Sequence, residues 1–139
     1  MQPSISFLAA AIAFVVGLAI AWVWYSDWGL VGGAWRELTG VTKEHSARGG
    51  TRPFAILVAS ILVTSLTLTS ACSIASAYFD SDSVWLALVV GGTSWLGLSM
   101  STLAQHNGFE QKPARLTAIN GAYQLTLFLG MTLAIGLLQ

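Results

Sequence analysis

Four long apolar runs dominate the chain, at about residues 5–25, 53–79, 84–104 and 116–138, and none contains Asp, Glu, Lys, Arg or His. Each reaches the roughly 20 residues that helical rise requires to cross a hydrocarbon layer about 30 Å thick. The alternation of polar and apolar positions that marks a membrane barrel strand is absent, and the runs are about twice the length such a strand needs. The pattern predicts an all-α membrane protein: a single domain over residues 1–139 with four transmembrane helices in a bundle. Ala19-Ile20-Ala21 in the first run has the small residues of a signal-peptide cleavage site, but no basic leader precedes it, so the run is read as a retained span.

The connections carry their own signals. The segment from Ser26 to Arg52 is too long for a bare connector, and Trp28, Val31, Trp35 and Leu38 recur at helical spacing. They predict a short interfacial helix at about residues 27–40, with Asp27 capping its start and Gly40 its end. Trp24, Tyr25, Trp28 and Trp35 are then expected as interfacial anchors, together with Trp22. Pro53 suits the first turn of the second span, Asn107-Gly108 is expected to stop the third, and Pro113 to start the fourth. The tight Asp80-Ser81-Asp82-Ser83 turn makes the second and third helices antiparallel neighbours.

Composition sharpens this picture. The chain is 55% hydrophobic and 9% charged, where soluble domains carry roughly 25% charge. Too few charges remain to clothe a soluble globule, and so apolar a chain is not disordered. Net charge is zero, which lacks the basic excess of a nucleic-acid binder. All six basic residues fall in two loops: Arg36, Lys43, Arg48 and Arg52 in one, Lys112 and Arg115 in the other. Basic residues near span ends stay on the cytoplasmic side. The expected location is therefore the bacterial cytoplasmic (inner) membrane, multi-pass, with both long loops cytoplasmic and both termini outside.

Helices in lipid associate through small residues and interhelical hydrogen bonds, because lipid tails are as apolar as leucine. Ala9, Ala13, Gly17 and Ala21 form a small-residue stripe on the first span; Gly97 and Ser101 on the third, and Gly130 and Ala134 on the fourth, continue the theme. Ala13, Gly17, Ala21, Gly97 and Gly130 are expected packing positions, within the bundle or between copies. The second span is rich in Ser and Thr, whose hydroxyls bond to carbonyls of their own preceding turn and so favour packing over a polar pore.

Candidate chemistry is sparse. Asn120, Tyr123 and Gln124 share one side of the fourth helix, a cluster fit to bind a headgroup, a quinone-like carbonyl or water, or simply to bond a neighbouring helix. No ionisable residue is expected inside the membrane, which argues against proton or ion transport. His45 and His106 are placed in loops without ligand spacing, so no metal site is expected; a lone Cys72 offers no disulfide or metal cage, and no cofactor motif is present.

Several landmarks resemble a known family. Gly17, Trp24-Tyr25-Ser26, Gly33-Ala34-Trp35 and Leu38-Thr39-Gly40 are similar to the N-terminal signature of the bacterial membrane family catalogued as domain of unknown function 1761. Trp95-Leu96-Gly97, Asn107-Gly108-Phe109-Glu110-Gln111-Lys112-Pro113 and Ile119-Asn120-Gly121-Ala122-Tyr123 resemble its C-terminal half. The resemblance implies a small four-helix membrane protein without an assigned activity. The first loop is longer and more charged than the family pattern. Separately, Gln105-His106-Asn107-Gly108-Phe109-Glu110 resembles the Asn-x-x-Glu element of the membrane-associated proteins in eicosanoid and glutathione metabolism. Leu103 and Ala104 stand where those enzymes have a basic residue, and the element follows the third helix rather than lying in the second, so catalysis is not carried over.

The expected function is non-enzymatic: a self-associating unit, or an accessory subunit of a membrane complex, with the lipid bilayer and a second copy or another membrane protein as partners and no nucleic acid. The alternative is a carrier or channel for a small neutral or amphipathic solute. A glutathione-family-like membrane enzyme is a further alternative.

Overall fold

Each long apolar run becomes a helix whose ends are set by short polar signals. The computed structural model describes residues 2–139. In chain order the elements are α1 (Phe7–Tyr25), α2 (Gly32–Thr39), α3 (Lys43–Arg48), α4 (Arg52–Phe79), α5 (Val84–Ser94), a π-helical stretch (Trp95–Met100), α6 (Ser101–Phe109) and α7 (Ala114–Leu138). The Ser6 hydroxyl accepts from the Ala9 amide to cap α1, Ser83 does the same for Leu86 at the start of α5, and Pro53 lies in the first turn of α4. Helix α5, the π-helical stretch and α6 run on as one span, Val84–Phe109, so that four helices are long and apolar enough to cross a membrane. The protein is an all-helical, multi-pass membrane protein, with no strand among the described residues.

Helix α7 is the centre of the bundle, packing against α1, α4 and α5. Its Leu127, Met131 and Ile135 meet Ala13 and Ala21 of α1 and Ile61, Leu68 and Cys72 of α4 in one buried cluster. Small residues set the crossings. A methyl at Gly17 would lie 2.7 Å from Ile61 Cγ2, and one at Gly130 would lie 2.6 Å from Ile20 Cδ1. Ala9, Ala13, Gly17 and Ala21 are all buried, so this stripe is occupied within the chain. Gly97 differs: it faces outward, with nothing within 4 Å of an added Cβ. The π-helical stretch explains the difference, since its extra residue per turn rotates Gly97 off the inward face.

Antiparallel connection brings both long loops, and all six basic residues, to one end of the bundle; Asp80 and Asp82 lie at the other. At the basic end the chain after α1 doubles back, the Leu30 and Val31 amides donating to the Val23 and Trp24 carbonyls at 3.1 Å each. These bonds satisfy α1 carbonyls that the helix end leaves free. The interfacial helix is shorter than residues 27–40: it starts at Gly32, Trp28 lies in the preceding turn, and Asp27 caps nothing. Asp27 instead accepts from Arg36 Nε at 2.6 Å, and that bond to the guanidinium holds its carboxyl below the usual carboxylate range. Gly40 does end α2, in the left-handed region at φ 73°. Helix α3, capped by Thr42, has no counterpart in the apolar pattern.

The third span also departs from expectation, running to Phe109 rather than to about residue 104. Gly108 does not break it, because Asn107 is buried and donates through Nδ2 to Thr117 Oγ1 at 3.0 Å, holding this last turn against α7. The reversal falls on Gln111, at φ 58°, with the Lys112 amide bonded to the Asn107 carbonyl at 2.9 Å and the Gln111 amide to that of Gly108 at 3.1 Å.

Candidate functional site

Near the acidic turn α4 packs on α5, but among the described residues it makes no close backbone approach to the π-helical stretch or to α6. The two spans therefore splay toward the basic end. Between them lies a cleft of about 810 Å³, within the range of roughly 300–1,000 Å³ typical of small-molecule sites. Val63, Thr64, Thr67 and Leu68 of α4 form one wall; Leu98, Ser99, Thr102 and His106 of the third span form the other. Asn120, Tyr123, Gln124 and Phe128 of α7 make the floor, and Tyr25 closes the α1 side.

The three polar residues expected to cluster on the fourth span thus come together on the floor, and Tyr25 joins them from 95 residues away. Its hydroxyl donates to Asn120 Oδ1 at 2.5 Å. This bond takes up one lone pair of the Asn120 oxygen and leaves its amino group as a donor with no partner among the described residues, in reach of the cleft. The Gln124 carboxamide, which also lines the cleft, has no hydrogen-bond partner there either. In water such groups are satisfied at no cost, but at membrane depth an unpaired amide is expensive. An unpartnered amino group on Asn120 and an unpartnered carboxamide on Gln124, on one floor, are chemically suited to a polar ligand group that both donates and accepts, or accepts alone.

Aromatic contacts hold this floor in place. Tyr25 packs edge-on against Tyr123 at 4.8 Å between ring centroids and against Trp35 of α2 at 5.8 Å. Such pairs contribute roughly 0.5–1.5 kcal/mol each beyond their buried area. Trp35 is therefore a brace for Tyr25 as well as an interfacial residue. Trp24 is half-buried against Tyr123 at 6.3 Å, and its indole nitrogen is buried without a partner among the described residues. Trp28 stays exposed and stacks edge-on with Trp22 at 5.2 Å, as suits the headgroup region.

The outer wall is pinned to α7 at its π-helical stretch. Trp95 Nε1 donates to the Gly121 carbonyl at 2.9 Å, and Met100 Sδ occupies the space beside Gly121 where a side chain would begin, 2.5 Å from that position. The span is thereby fixed to the floor while bowed away from α4, and π-helical turns in α-helices recur where a wall must be reshaped in this way.

His106 was expected in a loop. The longer third span instead carries it along the cleft wall, at the exposed basic end. The interior surface is thus not wholly without ionisable side chains. Asn107 and Glu110, the Asn-x-x-Glu pair, have other engagements: Asn107 with Thr117, and Glu110 in an ion pair with Lys112 at 3.1 Å. Among the described residues no group of three His, Cys, Asp or Glu side chains converges as metal ligands would. The hydroxyls of Ser60, Thr64, Thr69 and Ser70 on α4 donate to carbonyls four residues back within their own helix.

The family model for a protein of unknown function, DUF1761, matches residues 8–136, from the first turn of α1 almost to the end of α7. The chain belongs to the DUF1761 family. Both walls and the floor of the cleft lie inside the DUF1761 match, so the site is built wholly from family sequence. No curated protein and no solved structure matches this DUF1761 chain.

Proposed function

We propose that this DUF1761 protein binds or carries a small amphipathic solute in the cleft between α4 and the third span, without catalysing its conversion. One observation carries the proposal: the Asn120 amino group and the Gln124 carboxamide have no partner among the described residues, in a cleft whose other surfaces are mainly apolar. A solute with a polar group and an apolar body would satisfy those amides and fill the space between the splayed spans. In this reading the protein sits in the bacterial inner membrane with both long loops cytoplasmic, which the segregation of its basic residues supports. A reporter fused to the C-terminus should then be active only outside, and cytoplasmic activity would reverse the orientation.

The test of the binding reading is the mass of the protein released from mild detergent, wild type against Leu98→Trp. Leu98 lines the cleft and is otherwise exposed, so the larger ring fills the site without entering the core. Wild type should retain a defined small amphipath at about one per chain, and the variant should lose it. The same variable mixture of bulk lipids on both proteins would contradict the reading.

A second reading rests on Gly97. It leaves an open notch on the outward side of the third span, flanked by exposed Leu96 and Leu98. Close approach of a second copy, or of a partner membrane protein, at this notch would make the chain a self-associating or accessory subunit. Gly97→Leu should lower the assembly mass in that case, and a monomer in both proteins would remove it.

A further inference from the structure

The polar floor of the cleft is shared with a second cavity. This cavity, of about 360 Å³, lies on the far side of Thr64 and Gln124, between the first half of α4 and α7, walled by Pro53, Ile56, Leu57, Ile61 and Leu127. Thr64, Tyr123 and Gln124 line both spaces. The polar cluster is therefore central, with mainly apolar volume on either side. A site for a lipid with a terminal headgroup would set its amide donors at one end; here Gln124 lies between the two spaces with Asn120 four residues before it, and His106 alone among the ionisable groups stands at the exposed end of the larger one.

The donors define the polar group further. Tyr25 takes up one lone pair of the Asn120 oxygen, while both amino hydrogens of Asn120 are without a partner among the described residues, so a ligand acceptor is the group that satisfies most of what Asn120 leaves open. No Lys or Arg lines either cavity, and His106, which lines the larger one, lies at its exposed basic end rather than on the floor with Asn120 and Gln124. An anion at the floor would lie uncompensated at membrane depth, which is costly enough to exclude it in favour of a neutral acceptor. Resting on the reading of the cleft as a binding site, we infer that its ligand is a neutral amphipath with a carbonyl between two apolar arms, as in an acyl ester or a substituted acyl amide. One arm occupies the larger space beside Leu98 and Phe128, the other runs past Gln124 into the smaller one, and the carbonyl accepts from Asn120 and Gln124.

The test is binding of tritiated N-butyl oleamide to the full chain in dodecyl maltoside, a detergent without a carbonyl. Competitors are butyl oleate, oleyl alcohol and a benzoquinone bearing one alkyl tail. Butyl oleate should compete about as well as the unlabelled probe. Oleyl alcohol, which has no carbonyl, and the tailed quinone, which has its carbonyls at one end, should each be about tenfold weaker, equivalent to roughly 1.4 kcal/mol. Asn120→Ala should weaken binding, and Gln124→Leu, which breaks no bond within the chain, should weaken it by roughly three- to tenfold, the span of one hydrogen bond. Equal competition by oleyl alcohol, tighter binding of the quinone, or undiminished binding by Gln124→Leu would overturn the mid-chain carbonyl while leaving an amphipath site in place. If the probe and all three competitors fail to bind, the binding reading itself falls.

Discussion

Replacing Gly91 with alanine probes the crossing of α5 and α7, on which the position of the cleft floor depends. A methyl there would overlap the Thr132 hydroxyl oxygen, lie 2.9 Å from Thr132 Cγ2 and 3.1 Å from the Phe128 carbonyl oxygen. Thr132 is fully buried, and its hydroxyl already donates to that same carbonyl at 2.8 Å. Neither partner has anywhere to go: one is backbone, and the other must break its hydrogen bond to turn. Overpacking of this kind costs about 1–3 kcal/mol, and the lost bond adds about 0.6 kcal/mol, the average for polar contacts in a membrane protein. Alanine also gains about 1 kcal/mol over glycine in helix propensity. Gly97→Ala supplies that same gain with open space around the methyl, so comparing the two variants cancels it. The difference should be about 2–3 kcal/mol, with Gly91→Ala the less stable. Unfolding by sodium dodecyl sulfate in mixed micelles, followed by far-ultraviolet circular dichroism, measures it. Variants that agree to within about 0.5 kcal/mol, the scatter of harmless surface changes, would refute the packing described for α5 and α7.

Three further outcomes are expected. Gln111→Gly should raise stability by about 1 kcal/mol in the same titration, because a left-handed residue with a side chain is strained and glycine is not. Asn107→Ala should lower it by about 1–2 kcal/mol through the stranded Thr117 hydroxyl, and hydrogen exchange should localise the loss to the last turn of α6. The Asp27–Arg36 pair responds to pH with a definite sign: the folded carboxyl is held below its ordinary value, so its contribution is full above that value and fades as pH falls through the lowered one. Hydrogen-exchange protection factors in the turn before α2, which remove the intrinsic pH dependence of amide exchange, should therefore be the same at pH 7 and pH 5 in wild type, and lower at both in Asp27→Asn.

Much of the architecture was legible because lipid imposes strict terms. A span must be long, apolar and helical, and the four runs advertise that directly; Ser6, Ser83, Pro53 and Gly40 then mark ends by local chemistry. What escaped was decided by contacts distant in sequence. Gly108 looked like a stop, yet the burial of Asn107 against Thr117 carries the helix past it and hands the left-handed position to Gln111. The π-helical stretch has no residue signature, so the outward turn of Gly97 was invisible. Helix α3 is too short and polar to register as a periodic pattern. At the site, the spacing of Asn120, Tyr123 and Gln124 reveals a shared face, but by sequence alone Tyr25 reads as an anchor and His106 as a loop residue. The splay of α4 from the third span, which turns that face into a cleft, is a property of three helices together. Only the unusual length of α4 and the hydroxyls Thr64 and Thr67 hinted at it.

Photo-labelling reports most directly on whether the splayed spans hold a ligand. A diazirine placed on the acyl arm of N-butyl oleamide, activated with the full chain in dodecyl maltoside, should mark peptides from residues 63–71, 94–106 and 120–128, with labelling suppressed by excess butyl oleate. Labelling spread over the exposed outer residues of α1, such as Phe7, Leu8 and Val15, and unaffected by the competitor, would mean that the cleft holds nothing.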